Sequence, residues 1–252
     1  MNNFSEAFAS GKALLAFITC GDPDLTTTEK AIFAAVEAGA DVIEVNIPFS
    51  DPTAVDPIVQ EANIRALEAG MTTDKVFDFL EAIRPRVQVP FVISTYANVV
   101  FSYGADRFAA RCARAGVGGL IVPDLPFEER LEFLPQCQAQ GIDLIFMVAV
   151  TSRQRVADIA RQATGFLYIT ACPGTREQEL TELMALAREN SSVPCVICLT
   201  GTEECRFREV AARTDGVAVD TPIVSLIARH GSACAGPLGV FVSSLKAKLR
   251  SI

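Results

Sequence analysis

Residues 41–60, DVIEVNIPFSDPTAVDPIVQ, begin as an apolar strand and break into a loop at Pro48. Glu44 lies within the apolar run Val42–Ile47, where an unpaired carboxylate is costly to bury. Two interpretations stay open from the residues alone. Glu44 is either a core glutamate with hydrogen-bond partners, or a carboxylate whose raised pKa serves acid–base chemistry. Asp56 follows in the loop, so one strand end supplies two carboxylates.

Further short apolar runs, rich in β-branched residues, occur along the chain with amphipathic stretches between them. Such runs are typical of strands buried on both faces in parallel sheets. Eight strand–helix units in 252 residues predict an α/β protein, a (β/α)8 barrel (TIM barrel), with residues 1–252 as a single domain. A doubly wound open sheet is the alternative, but no GxGxxG motif follows the first strand. The predicted strands are Ala13–Thr19, Val42–Ile47, Phe91–Thr95, Gly119–Val122, Leu144–Ala149, Phe166–Thr170, Cys195–Leu199 and Gly216–Val219.

The amphipathic stretches between the strands predict the helices that cover the barrel. A threonine run at 26–28 is predicted to cap the first long helix. The predicted helices are Thr26–Glu37, Ile58–Glu68, Asp74–Ile83, Ala105–Ala115, Glu128–Gln140, Ser152–Gln162, Glu177–Glu189, Glu203–Ala212, Ile223–Ala228 and Val240–Leu249.

Composition and charge argue against several classes of function. The net charge of −8 argues against a nucleic-acid surface, which needs a basic footprint. No apolar run approaches the roughly 18–20 residues of a membrane helix, and the N-terminus MNNFSEAFASGK lacks a signal pattern, so a cytoplasmic protein is expected. The eight cysteines are then expected to be reduced thiols. Cys195 and Cys198 have CxxC spacing, but on a strand they point to opposite faces, and the lone His230 offers no catalytic triad.

The barrel prediction places the site at the C-terminal ends of the strands and in the loops that follow them. None of the lysines lies at such an end, so Schiff-base chemistry is disfavoured. A metal site would need convergent oxygen ligands, and its candidates are Asp22, Asp51, Asp124 and Asp220. We expect no metal; general acid–base chemistry by a carboxylate and a tyrosine, led by Glu44 and Tyr168, is favoured.

Five motifs carry a resemblance to a known family. They are FITCGDP (17–23), AGADVIEVNIPFSDP (38–52), TYANVVFSYG (95–104), AGVGGLIVPDLPFEE (115–129) and GIDLIFMVAVTS (141–152). In this order, over most of the chain, they resemble the α subunit of tryptophan synthase. The resemblance implies a cofactor-free lyase of tryptophan biosynthesis that cleaves indole-3-glycerol phosphate by a retro-aldol reaction to indole and glyceraldehyde 3-phosphate. It also implies that indole passes to a pyridoxal-phosphate-dependent β subunit.

The resemblance assigns roles to matching residues. Glu44 stands at the position of the family's catalytic glutamate, which carries protons to the indole ring and from the glycerol hydroxyl. Tyr168 matches the family tyrosine at the end of the sixth strand. Phe17 and Tyr96 match positions that line the indole pocket. The loops that match those facing the β subunit contain Pro48, Phe49, Asp51 and Asn98.

Several positions depart from the family pattern. Val55 occupies the place of an aspartate that accepts the indole N–H, and Asp56 is predicted to reach the same spot. The glycine-rich phosphate cradle, G-F-G-I and V-G-S-A-I in the family, reads 198–201 CLTG and 219–223 VDTPI here. A carboxylate at Asp220 opposes a phosphate dianion. In the loop after the sixth strand, Cys172 replaces an arginine and Gly174 is matched to a glycine of the lid.

Three interpretations therefore remain open at this point. The chain is an α-subunit lyase with an altered phosphate site, a divergent paralogue that acts on an unphosphorylated substrate, or a catalytically inactive partner protein. The candidate site residues are Glu44, Asp56 and Tyr168 for catalysis, and Phe17, Tyr96, Thr170, Cys172, Gly174, Gly201, Asp220 and Thr221 for substrate binding.

Overall fold

The computed structural model describes residues 4–149, 155–170, 175–199 and 207–252. Each of the eight predicted strands has a counterpart in the structure, with ends that differ by one or two residues in several cases, and the predicted fifth strand is present as two short ones. The strands are β1 (Ala13–Thr19), β2 (Val42–Asn46), β3 (Phe91–Ser94), β4 (Val117–Ile121), β5 (Asp143–Ile145), β6 (Met147–Ala149), β7 (Leu167–Thr170), β8 (Cys195–Leu199) and β9 (Gly216–Val219).

Helices follow the strands around the outside of the sheet. They are α1 (Ser5–Ala9), α2 (Leu25–Glu37), α3 (Pro57–Glu68), α4 (Thr73–Ile83), α5 (Ala97–Tyr103), α6 (Ala105–Arg114), α7 (Leu134–Ala139), α8 (Val156–Gln162), α9 (Glu177–Asn190), α10 (Phe207–Arg213), α11 (Thr221–His230) and α12 (Ala235–Arg250). Short 3-10 turns occur at Arg84–Arg86, Phe127–Glu132 and Gly231–Ala233.

The strands form one parallel sheet in the order β5-β4-β3-β2-β1-β9-β8-β7-β6. The two ends of this order are consecutive in the chain and are separated only by Phe146. β5 pairs with β4, while β6 pairs with β7. The Tyr168 amide donates to the Phe146 carbonyl at 3.0 Å, so the ring is nearly closed at this point. The α/β barrel prediction is confirmed; the described residues form nine strands rather than eight, because the fifth strand is interrupted.

The helix predictions differ from the structure in several places. The predicted helix Glu128–Gln140 is a 3-10 turn followed by α7, because Pro135 has no N–H to donate inside a helix and is accepted only in a first turn. The helices α1 and α5 were not predicted. The cap of α2 is Asp24, whose carboxylate accepts from the Thr27 amide at 2.7 Å, and not the threonine run.

Side chains alternate between the barrel interior and the layer under the helices. The interior cluster includes Val42, Val196 and Cys198, whereas Ile43 and Cys195 belong to the outer cluster. Cys195 and Cys198 therefore point to opposite faces, as their spacing on a strand predicts. Glu44 lies two residues after Val42 on β2, so its side chain also points into the barrel. This direction places Glu44 in the site.

The N-terminal end of the barrel is filled by apolar side chains from α1 and the residue before it. Phe4 and Ala7 belong to the interior cluster. The Phe4 ring meets the Phe166 ring edge-on, with 5.2 Å between centroids. Gly119 leaves the room that Phe4 occupies, since a Cβ on Gly119 would lie 3.1 Å from the Phe4 ring. The interior is packed at this end, so the polar side chains gather at the opposite end.

Within the described residues, no helix combines the length and the apolar character needed to cross a membrane.

Candidate active site

Glu44 and Tyr168 meet inside the barrel across a sequence separation of 124 residues. The Tyr168 hydroxyl donates to Glu44 Oε2 at 3.1 Å. Ser94, at the end of β3, makes a further side-chain hydrogen bond with Glu44. Both partners are almost fully enclosed, with Glu44 2% and Tyr168 4% exposed. The structure thus brings together the two leading catalytic candidates.

The environment of Glu44 favours its protonated form. Burial raises the pKa of this carboxyl to about 8, and the nearby Asp220 carboxylate pushes it in the same direction. Hydrogen bonds from Tyr168 and Ser94 oppose the shift but do not cancel it. Burial also raises the pKa of Tyr168, so it remains a phenol that donates a hydrogen bond. At neutral pH, Glu44 therefore holds a proton that it can give away.

Asp220 lies directly after β9 and caps α11. Its Oδ1 accepts from the Thr221 amide at 2.5 Å, and its Oδ2 accepts from the Cys198 thiol at 3.5 Å. Burial is the main reason that the pKa of Asp220 is raised, and the Asp56 carboxylate adds to the effect. The Asp220 carboxylate thus accepts a hydrogen bond from the Thr221 amide, one of the backbone donors that the family motif implies for phosphate.

Asp56 caps α3 and joins that helix to α11. Its Oδ1 accepts from the Ile58 and Val59 amides at 2.8 and 3.2 Å. Its Oδ2 accepts from the hydroxyl of Thr221, which is buried. Each carboxylate oxygen therefore already has a donor from the protein, and any hydrogen bond to a substrate N–H is an additional one.

Replacing Asp56 separates its capping role from a binding role. Asp56→Ala should lower the free energy of unfolding by about 1–2 kcal/mol, because the N-cap is lost. Asp56→Asn keeps a capping oxygen and should cost only a few tenths of a kcal/mol. If Asp56 also accepts the indole N–H, both variants should raise KM for indole-3-glycerol phosphate roughly tenfold, the value of a hydrogen bond to a charged group. Urea unfolding and steady-state kinetics measure the two effects; an unchanged KM in Asp56→Asn would leave Asp56 as a cap only.

Apolar and aromatic side chains stand beside the carboxylates. Phe17 packs with Val59, Ala62 and Val224, and Val55 packs against the same cluster. Val55 therefore fills an apolar position and cannot serve as a hydrogen-bond acceptor through its side chain.

Tyr96 supports the loop after β2. Its hydroxyl accepts from the Ala54 amide at 3.0 Å, and its ring stacks on Phe49 with centroids 5.2 Å apart. Thr170 ends β7, is partly exposed and is in register with Cys198 of β8. Cys172, Gly174 and Gly201, the other predicted binding residues, lie outside the described residues.

The carboxylates that a metal site would have needed have other surroundings. Asp22 forms a bidentate salt bridge with Arg65, with N–O distances of 2.7 and 2.9 Å. The Ala97 amide donates to Asp124 at 2.8 Å, and Asp51 is exposed beside Ser50. In the part of the chain that the structure describes, no group of three or more histidine, cysteine or acidic side chains is arranged to hold a metal.

Some residues that shape the site were not predicted. The buried Asn63 of α3 accepts from the Phe49 amide at 3.1 Å and from Asn46 Nδ2 at 3.0 Å, which fixes the loop after β2. The signal was present in the sequence as an amide on the apolar face of α3. Ser94 carried no comparable signal, since small polar residues are common in strands of this kind. Cys198 was noted as part of a departure from the glycine-rich cradle, but not as a neighbour of Tyr168 and Asp220.

The loops predicted to face a partner are only partly exposed. Ser50, Asp51 and Asn98 are exposed, whereas Pro48 is buried and Phe49 is partly buried against Tyr96. Pro48 therefore shapes the loop from beneath, and the exposed side chains are the ones able to contact another protein.

Comparison with known proteins agrees with this geometry. Residues 4–242 match the family model described as tryptophan synthase alpha chain. The tryptophan synthase alpha chain of Geobacter sulfurreducens is 41% identical over 94% of this chain and 93% of its own length. That of Lacticaseibacillus casei is 37% identical over 98% of this chain and 95% of its own length.

Solved structures give the same result at the level of the fold. Tryptophan synthase subunit alpha from Legionella pneumophila superposes with a TM-score of 0.92, at 29% identity and full coverage of both chains. A chain of tryptophan synthase from M. tuberculosis superposes with a TM-score of 0.90, at 30% identity over 99% of each chain. The chain whose barrel encloses Glu44 and Tyr168 belongs to the tryptophan synthase alpha chain family.

Proposed function

We propose that this chain is a carbon–carbon lyase that cleaves indole-3-glycerol phosphate to indole and glyceraldehyde 3-phosphate, with Glu44 as the group that carries the proton. The observation that supports it most directly is a buried carboxyl, with a pKa of about 8, that accepts a hydrogen bond from Tyr168 inside the barrel. A general acid whose pKa lies near the working pH is also an effective base after it has given up its proton.

The reaction then follows from one group acting twice. Protonated Glu44 donates to C3 of the indole ring, which gives the protonated indolenine, a cation that keeps its N–H. The resulting carboxylate takes the proton of the glycerol hydroxyl beside the ring. As that O–H bond breaks, a C=O bond forms and the C–C bond to the ring breaks, and its electron pair restores the aromatic indole. The proton that Glu44 gives to the ring is replaced by the one that it takes from the hydroxyl, so the site is ready for another turnover.

Tyr168 and the apolar wall support these steps. We propose that the Tyr168 hydroxyl orients the Glu44 carboxyl and stabilises its anion after the first proton transfer, since it donates to Oε2. The cluster around Phe17 offers an apolar face of the kind that an indole ring requires. Asp56 is proposed to accept the indole N–H in addition to its capping bonds.

The family works with a β subunit, and we propose that Ser50, Asp51 and Asn98 contact it here because they are exposed on the predicted loops. A place in tryptophan biosynthesis supports a cytoplasmic location.

We propose that the barrel is the single domain of the chain.

Indole release from two matched substrates tests the proposed function. We expect purified protein, with and without a β subunit, to release indole from indole-3-glycerol phosphate. The dephosphorylated compound should react less efficiently, by kcat/KM, if the altered cradle still holds phosphate. Release from the dephosphorylated compound alone would replace the substrate with an unphosphorylated one. Release from neither would contradict the assignment as a lyase of this type.

A further inference from the structure

Two side chains stand where the related motifs have glycine. Cys198 takes the place of the first glycine of G-F-G-I, and Asp220 that of the glycine of V-G-S-A-I. Cys198 makes a side-chain hydrogen bond with Tyr168, and Asp220 interacts electrostatically with Glu44. Neither has a role in the reaction as described so far, and each adds an exchangeable proton or a charge to the enclosed end of the barrel.

These side chains are linked to the proposed proton carrier by hydrogen bonds. Tyr168 donates to Glu44 at 3.1 Å, and Cys198 donates to Asp220 at 3.5 Å. The phenol and the thiol also interact with each other by a side-chain hydrogen bond. Thr221 extends the connection, since its amide donates to Asp220 and its hydroxyl donates to Asp56. This hydrogen-bonded series of side chains therefore links β2, β7 and β8 to the N-termini of α11 and α3.

Glu44 and Asp220, two carboxyls of this hydrogen-bonded series, are in different environments. Glu44 is 2% exposed inside the barrel, where the neutral acid is favoured. Asp220 is partly exposed and lies at the N-terminus of the ten-residue helix α11, where the helix dipole and the Thr221 amide favour an anion. A proton shared between the two carboxyls is therefore held by Glu44, and the charge is held by Asp220.

We infer that Asp220 is a positioning residue for the lyase reaction, which acts through Cys198 and Tyr168 and by its own charge to keep Glu44 protonated between turnovers. The inference rests on the proposed function, because it treats Glu44 as the proton carrier. A phenol has one proton, so Tyr168 donates either to the Glu44 anion or to the Cys198 sulfur. The thiol in turn donates to the Asp220 anion.

The groups that act on the two carboxyls come from several elements. Those acting on Glu44 in the described residues include Ser94 of β3, Tyr168 of β7, Cys198 of β8 and Asp220, and its neighbour on β1 is the apolar Phe17. Those acting on Asp220 include Cys198, Thr221 and Asp56. No cation is among these groups, so the carboxylate at 220 is the charge that works against ionisation of Glu44.

The test is a titration of Glu44 that needs no substrate. In protein labelled with 13C at glutamate side-chain carboxyls, the resonance missing from Glu44→Gln identifies Glu44. We expect its midpoint to fall by about one pH unit in Asp220→Asn, because a neighbouring like charge is removed. Asp220→Gly, with the residue of the related motif, should give the same result if Asp220→Asn folds poorly. Cys198→Ala should give a smaller fall.

A matched control is Asp158→Asn, which removes an exposed carboxylate of α8 that is paired with Arg161. Its Glu44 midpoint should equal that of the parent. An unchanged midpoint in both Asp220 variants would overturn the inference even if the lyase assay succeeds. A fall in the midpoint without any lyase activity would support the effect of Asp220 on Glu44 and contradict the proposed function. Where activity is present, the limb of the kcat–pH profile that reports Glu44 should move by the same amount.

Discussion

Glu44→Gln should lower kcat for indole release by at least about 100-fold and by as much as about 10,000-fold, the range that one general acid–base group contributes. The amide has nearly the shape of the carboxyl and can still accept from Tyr168, so the substrate should bind with a similar KM. It cannot give a proton to the indole ring or take one from the glycerol hydroxyl. Steady-state kinetics with indole-3-glycerol phosphate measures the loss.

The control for this variant is Glu61→Gln on α3, which makes the same chemical change at a side chain that is 71% exposed. It should keep the activity of the parent. Retention of more than about a tenth of the parent kcat by Glu44→Gln would contradict the role of Glu44, since a loss below tenfold falls outside the range for general acid–base catalysis.

The same substitution should also change how stability depends on pH. The pKa of Glu44 is about 8 in the folded protein, against an ordinary value of 4.5. Between these values the unfolded chain has lost the proton and the folded chain retains it, so the free energy of unfolding of the parent falls as pH rises. At about 1.4 kcal/mol per unit, the full loss is up to about 5 kcal/mol by pH 9.

Glu44→Gln has no proton to lose and should lack this part of the slope. Relative to the parent, it should therefore gain several kcal/mol of stability between pH 5 and pH 9, measured by urea unfolding at intermediate pH values. Burial raises the pKa of Asp220, and this cause should persist in the variant, so the contribution of Asp220 should largely cancel in the comparison. Glu61→Gln should follow the parent curve. Parallel curves for parent and Glu44→Gln would mean that Glu44 is ionised in the folded state at neutral pH.

The sequence predicted most of the barrel because its strands are buried on both faces and therefore read as apolar runs. It did not predict the interruption at Phe146, since an apolar run gives no sign of where its pairing changes from β4 to β7. The short helices α1 and α5 were not predicted for a related reason. Five to seven residues are too few for a helical period to stand out.

In the site too, features of the local sequence could be predicted, whereas contacts between residues far apart in the chain could not. Glu44 was recognisable because a carboxylate in an apolar strand is unusual, and Tyr168 because the barrel prediction placed it at the C-terminal end of a strand; the resemblance agreed with both. The link between Thr221 and Asp56 joins residues 165 positions apart, and only the folded chain shows it. Asp220 was predicted as a group that opposes phosphate, but its bonds to Cys198 and the Thr221 amide depend on how β8 and β9 lie side by side.

The most direct test of the central claim follows the proton itself. Indole alone, incubated with the protein in D2O, should exchange the hydrogen at C3, because Glu44 can deliver a deuteron to one face of that carbon and the original hydrogen can then leave from the other face to solvent, or to Glu44 once the ring has turned over in the site. This measurement by proton NMR does not depend on the phosphate cradle. We predict exchange at least about 100-fold faster with the parent than with Glu44→Gln, which should match the rate without protein. Equal exchange with parent and Glu44→Gln would show that another group carries the proton.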